Sequence, residues 1–589
     1  NDAEYLYAGT NGGGIFRTFL STYPPPYLQW DWMNVGSMQS WYLPLGMEME
    51  EGRTFEQQDG LQWPGIYRYQ DMEAAKGLWI GTTHYTDLAG RTFPRKVVHV
   101  GPRVPGTGEF FPIRFESTNK FLPTQVLVQG VPSYSKQPRV DRLDSTMKWD
   151  RMIENVVNTS VGITMTRRIF QFSHPLHDNY IVYDYEFKNT GNVDSVPFIE
   201  MYGQALDSVC FFFQHRYAIC KDTRYVIGNA TGWGINTMLD TRGDGVRPDP
   251  PSENFRAQYA WHGRYPPFIA YDNIGGPIWI PPSGGDPADT VGRLGAAQFI
   301  GVVTLHAERS PQDTTDNPHQ PATTTYVGSD DPLNSQNNQT DTARMALEYA
   351  WMISGHRSPR HADLVGNGDP ALGTSGGFSA ANGYGPYHLE FGEKVHIVIA
   401  EAASGLSRER AISIGRRYKQ GVINAQQKND SVYTGRDSLF QTFRRAIANY
   451  QSAYSIATSP LPPRIFQVSG GDSCIVISWD VYNLAGPAIR GFRVYRASNK
   501  YDGDYGLVRE VGAGSRGFRD SSTVRNVRYF YYIVSVGDSV TSNRYYTQTY
   551  DPVYVNGSTN TMEENSSPLT YELSQNYPNP FNPSTTIVY

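Results

Sequence analysis

The chain has 589 residues, enough for three to five domains at roughly 100–200 residues each. Charged residues make up 18%, aromatics 13%, and the net charge is −6. That composition excludes long disorder as the main state, a basic nucleic-acid binder, a coiled coil and collagen.

Residues 1–60 are rich in Gly, Tyr, Trp and Pro, including Gly12 to Gly14 and Pro24 to Pro26, and read as surface loops around short strands. Strand signals dominate residues 61–403, a large β-sandwich body of one or two domains. In the run Tyr180 to Lys188, Ile181, Tyr183, Tyr185 and Phe187 face one way; Val182, Asp184, Glu186 and Lys188 face the other. Phe299 to Leu305 and Val395 to Ala400 are largely apolar and are expected to be more fully buried strands.

Three cysteines are present: Cys210, Cys220 and Cys474. Folding 210–220 as a hairpin about His215 sets Cys210 opposite Cys220, within disulfide reach. The alternative is two buried thiols acting as small hydrophobes.

Helix is expected at three places. Thr342 to Met352 has strong propensity, Ser407 can cap Arg408 to Lys419, and Asp437 opens a run with Leu439, Phe440, Phe443, Ile447 and Tyr450 on one stripe. The last two make a helical connector over 404–456. Residues 457–552 have the texture of a small β-sandwich, with alternation in Ile475 to Trp479, Gly491 to Arg496 and Tyr529 to Ser535. Residues 553–570 read as a linker.

Two segments resemble known families. The Pro462-Pro463 entry, Trp479, the strand Phe492 to Tyr495 and Phe518 to Asp520 resemble a fibronectin type III module. Residues 571–589, with Leu573 to Ile587 reading Leu-Ser-Gln-Asn-Tyr-Pro-Asn-Pro-Phe-Asn-Pro-Ser-Thr-Thr-Ile, closely resemble the opening of the C-terminal sorting domain of type IX secretion cargo in the Bacteroidota and related phyla. The likeness covers the first strand of that domain and stops there. It implies export to the exterior or outer surface of a Gram-negative-type cell, with the type IX machinery as a partner in transit. Much of 60–455 also resembles uncharacterised extracellular proteins with this tail, through Gly77 to Thr82, Met165 to Phe170 with Ser173 to Pro175, and Tyr384 to Tyr387.

Few residues point to chemistry. No nucleophile elbow, zinc-protease His-Glu pair or phosphate loop is present, so no catalytic residue and no cofactor site is assigned. Calcium is the one metal with Asp-rich turns to hold it, at Asp240, Asp244 and Asp249 and at Asp363, Asn367 and Asp369. Without a metal both are ordinary Asp/Gly turns. The His174-Pro-Leu-His177-Asp178 segment reads as a turn. Glu48, Glu50, Glu51, Asp71 and Glu73 read as exposed loop acids. Trp30, Trp32, Trp41, Trp63, Trp79, Trp233, Trp261 and Trp279 would suit sugar platforms or protein interfaces where exposed, and the core where not. Asp-Ser/Thr-small patterns resemble the O-glycosylation signal of Bacteroidota exported proteins, with Ser195, Ser208, Thr290, Thr342, Ser438 and Ser539 as acceptors.

The expected fold is mainly β, and the expected role is a secreted surface protein, structural or adhesive, self-assembling into a filament or layer. The rival is a polysaccharide-binding protein or glycan hydrolase, recognisable by a Trp-lined cleft with two facing carboxylates.

Overall fold

The computed structural model describes residues 5–10, 14–19, 30–48, 60–220, 234–263, 274–276, 292–334, 340–366 and 377–555, save positions 68, 235, 330 and 485. The protein is mainly β, built around two large facing sheets with helices on their outer sides. None of the described helices is long and apolar enough to cross a membrane.

One sheet has six strands, ordered Thr323–Gly328, Phe378–Leu389, Leu206–Tyr217, Asp71–Thr86 and Leu61–Gln62, with Thr92–Val100 also pairing Asp71–Thr86. The other has ten, and its centre runs Arg151–Thr159, Ile163–Gln171, Tyr180–Asn189, Lys394–Gly405, Gln298–Ser310 and Ala257–His262. The alternation at 180–188 decides how they meet. Ile181, Tyr183, Tyr185 and Phe187 point at the six-stranded sheet, where Phe187 stacks on Phe211 at 3.9 Å and Tyr185 meets Phe213 at 4.8 Å.

The opposite face of the ten-stranded sheet is also covered, which is why 299–305 and 395–400 are apolar except at Thr304 and His396. Helix Ala425–Gln451 packs Leu439, Phe440, Phe443 and Ala446 over Val182, Val303, Val398 and Ala400. Gly435 lets it approach closely, since a Cβ there would lie 2.9 Å from the Gly405 Cα. This helix begins twelve residues before the expected Asp437 start, at a capping box formed by Asn424 and Gln427. Its polar first turns carry too few apolar residues to announce it. Helix Arg408–Lys419 starts at its Ser407 cap. Helix Thr342–Met352, capped by Asp341, covers the outer side of the six-stranded sheet, where Trp351 meets Trp79 at 5.6 Å.

Two expectations are corrected. Leu206–Tyr217 is one uninterrupted strand, not a hairpin about His215. At about 3.4 Å per residue its span carries Cys210 far from Cys220, and no disulfide forms. The Cys210 thiol instead faces the Met352 carbonyl and the Cys220 thiol the Gly295 carbonyl. In the N-terminal segment short strands form as expected, but residues 31–48 are not on the surface: Trp32, Met33, Trp41, Tyr42 and Met47 belong to the core between the sheets, while Gly12, Gly13 and Pro24 to Pro26 lie outside the described residues.

The C-terminal sandwich sets Ile465–Gly470, Ile475–Asp480 and Gly517–Asp520 against Gly491–Ser498, Gly506–Gly512 and Tyr529–Val536, around Trp479, Phe492, Tyr531 and Ile533. Its first sheet is completed from the body. The strand Gln125–Val128 pairs in parallel with Ile465–Gly470, placing Val126 and Val128 in the module core. Thr124 Oγ1 donates to the Pro463 carbonyl at 2.7 Å, and Asn543 Nδ2 to Asp178 Oδ2 at 3.1 Å. Body and module therefore share one sheet.

Candidate functional site

The interior between the sheets contains a cluster of ionisable groups. A β-bulge creates it: Arg216 pairs with Ala75 but Tyr217 pairs with Glu73, leaving Ala74 as the extra residue. The bulge brings both Glu73 and Lys76 to the inner face, where plain alternation would have separated them. His215 comes from the neighbouring strand, Tyr183 and Glu401 from the facing sheet, and Tyr42 and Glu48 from the N-terminal segment.

The Lys76 ammonium donates to Glu401 and, at 2.7 Å, to the Tyr183 hydroxyl; it lies 3.8 Å from Glu73 and 3.9 Å from Glu48. Tyr183 also bonds Glu401 and meets the Tyr42 hydroxyl at 2.7 Å. His215 Nδ1 sits 3.0 Å from both Glu73 Oε1 and Glu401 Oε1. Arg167 reaches Glu48 at 3.0 Å. The ionic side chains are at most 5% exposed.

Burial and the neighbouring Glu401 charge push the Glu73 carboxyl up to about 7. For Glu401 the burial penalty is overcome by Lys76 and His215, which hold its carboxyl below the usual range. Burial would lower His215, but its bonds to Glu401 and Glu73 raise it to about 9. These directions favour an ionised Glu401 beside a protonated His215, with Glu73 brought nearest to neutrality. Glu73, His215 and Glu401 place ligand atoms within 4.8 Å of one another, yet Lys76 already supplies the positive charge there. This geometry suits a buried charge lock better than a metal centre.

A second lock ties a helix to the sheet: His99 Nε2 lies 2.9 Å from Glu348 and Nδ1 3.3 Å from Glu109. Burial opposes charge on His99, but its two carboxylates raise it to about 9.

Asp240, Asp244, Asp249 and Asp363 do converge, but around arginines. Arg360 holds Asp249 at 2.7 Å and also bonds Asp244, while Arg242 bonds Asp240 and Arg247 bonds both Asp240 and Asp363. The guanidinium groups stand where an all-oxygen calcium cage needs its cation, so at Asp240, Asp244 and Asp249 the calcium reading is corrected to an Arg–Asp network. Asn367 and Asp369 lie outside the described residues. A polar cavity of about 170 Å³ borders this network, lined by Arg242, Asp244, Arg256, His319, His356 and Asn382 among others.

Trp32, Trp41, Trp63, Trp79 and Trp261 are buried, while Trp30 is 55% exposed; Trp233 and Trp279 lie outside the described residues. Glu48, Asp71 and Glu73 are likewise buried, contrary to their reading as exposed acids; Glu50 and Glu51 lie outside the described residues. His174 to His177 is a turn, closed by the His177 amide on the His174 carbonyl at 2.7 Å. Among the O-glycosylation acceptors, Ser195, Thr342 and Ser539 are exposed, Ser208 and Ser438 are half-buried, and Thr290 lies outside the described residues. The sequence reading missed Lys76, Arg167, His215 and Glu401. Glu401 had a signal: it is the lone charge in Ile397-Val-Ile-Ala-Glu-Ala-Ala403.

No protein-family model matches the chain, and no curated protein matches it. Among solved structures, one described as a myokine structure is 17% identical with a TM-score of 0.14, covering 17% of this chain and 99% of that one. A polysaccharide lyase is 11% identical (TM-score 0.19), covering 69% of this chain and 36% of that one. A β-1,2-glucanase from Parabacteroides distasonis is 10% identical (TM-score 0.13), covering 66% and 33%. The chain spans about a third of the length of those two enzymes. Likenesses at these TM-scores carry no argument about activity.

Proposed function

We propose that the chain is an extracellular structural or adhesive component of a Gram-negative-type cell surface, delivered by the type IX route. The carrying observation is the shared sheet: the body's 125–128 strand is built into the C-terminal module, joining the two into one continuous unit. A spacer that must transmit position or load benefits from such a joint, because separating the parts requires breaking a strand ladder and uncovering core. The buried charge locks fit the same role. The strand layout of 465–536 supports the fibronectin-type reading of the module, and the type IX tail rests on residues 571–589, outside the described region.

The glycan reading loses five of its eight Trp platforms, Trp32, Trp41, Trp63, Trp79 and Trp261, to the core. It keeps one observation in its favour, the polar cavity lined by Arg242, Asp244, Arg256, His319 and His356, whose mixed donors and acceptors would suit a sugar carrying both hydroxyls and a carboxylate. Sedimentation over a hundredfold concentration range, alongside a glycan panel, separates the two. The structural reading expects concentration-dependent assembly and a silent panel. A strict monomer that binds acidic glycans, and loses them on R256A, would replace it.

A further inference from the structure

The outer face of the ten-stranded sheet gathers a second set of metal-ligating side chains, away from the buried cluster. Strands Tyr180–Asn189, Lys394–Gly405 and Gln298–Ser310 are adjacent, with Glu186 paired to His396 and His306 to Val398. A register shift between Thr304 and His306 turns His306 outward beside His396, and their rings lie 5.9 Å apart. Glu308 follows two residues on. The ligand atoms of His306, Glu308 and His396 lie within 4.8 Å of one another.

The surroundings match those of metal-bound imidazoles. His396 Nε2 is 2.6 Å from Asp184 Oδ1, and His306 Nδ1 is 3.9 Å from Asp316 Oδ1. The Asp184 hydrogen bond fixes the His396 tautomer and directs the other nitrogen's lone pair toward a cation, while Asp316, beyond hydrogen-bond distance, adds negative charge beside His306. Glu308 is held by the His396 backbone amide at 2.8 Å through Oε2, leaving Oε1 as a donor. The nearby cations are each engaged by carboxylates: Arg256 with Asp316 at 3.0 Å, Lys394 with Glu186 at 2.6 Å and Arg168 with Glu154 at 3.0 Å. In the buried trio, by contrast, Lys76 sits directly on Glu401. The two imidazoles are also reachable, His306 being 13% and His396 31% exposed, with Glu308 buried beneath them.

We propose that His306, His396 and Glu308 form a binding site for one divalent transition-metal cation of the zinc type. Two imidazoles and one carboxylate favour zinc, nickel or copper over calcium and magnesium, which take all-oxygen sets. Ligand atoms around tetrahedral zinc stand about 3.4 Å apart, so small side-chain rotations close the site on binding. Three protein ligands leave one position open, to water or to a donor from another molecule. Bound there, the ion clamps the 298–310 strand to the 394–405 strand at the edge of the helix-covered face.

The test uses the whole chain, stripped with chelator and titrated calorimetrically with zinc chloride, then with calcium chloride. One zinc per chain is expected, no calcium heat, and about a 10-fold or greater weakening in H306N, H396N and E308Q. The double variant H306N/H396N should lose the site while its metal-free melting temperature stays near that of the unaltered chain. Zinc absorption spectroscopy on the unaltered chain should report two imidazole ligands, a readout that needs no variant to fold. Zinc bound equally by the double variant, or without imidazole in the spectrum, would overturn the assignment, as would the absence of a stoichiometric site.

Discussion

Replacing Lys76 with Met removes the central cation of the buried cluster while keeping all but the last atom of its side-chain length. Glu401, fully buried, would lose the ammonium that bonds it and the charge that stabilises its ionised form. Removing one partner of a buried ion pair costs about 3–5 kcal/mol, far above the ~1 kcal/mol of an exposed pair. With about 2.1 cal/mol/K of unfolding entropy per residue over about 400 cooperative residues, this lowers the melting temperature by about 4–6 °C. Scanning calorimetry at pH 7 would read it. Without Lys76 the Glu401 carboxyl would titrate higher, so the deficit should shrink as pH falls toward 5. Adding Glu401→Gln should restore at least half of the loss, since the orphaned charge is then gone. A K76M protein as stable as its parent, or a double variant with simply additive losses, would refute the buried-lock reasoning.

Three further outcomes follow from the same structure. His99 and His215 are both raised from 6.5 to about 9, so each contributes its stability in full below pH 6.5 and loses it as pH rises through 9. Each shift corresponds to about 3 kcal/mol, and melting at pH 6.5 against pH 9.5 should show a steep alkaline loss that H99Q flattens. All three cysteines are reduced and buried, with the Cys210 thiol pushed up to about 12; a thiol reagent should label them after unfolding and not before, and an intact mass short by two hydrogens would contradict this. Residues 457–555 produced alone would expose the 465–470 edge, so a synthetic 121–134 peptide added in trans should raise their melting temperature, and one carrying Val126→Asp should not.

Much of the fold was legible where a pattern is local. The two-sided alternation at 180–188, the helix at 342–352 and the Ser407 cap each depend on neighbours in sequence, and the structure places them as the residues imply. The buried cluster was not legible, because a bulge at Ala74 sets Glu73 and Lys76 on one face and the sheet register alone reveals it. Cys210 and Cys220 misled for a related reason. A symmetric spacing fits a hairpin, but Phe211, Phe213 and His215 have inward partners in two neighbouring strands and the facing sheet, which favour a straight strand. The Asp240 turn was recognisable as acidic; that Arg360, more than a hundred residues away, would fill it was not. The helix start at Ala425 lay in residues whose polar side chains gave no period.

Negative-stain electron microscopy of the protein recovered from its own cells, paired with intact mass, decides whether the chain assembles as a rigid structural unit. Regular fibres or sheets, built from particles in which body and C-terminal module form one continuous density, are the predicted result. Discrete particles in which the module swings apart from the body would contradict both the shared sheet and the structural role drawn from it.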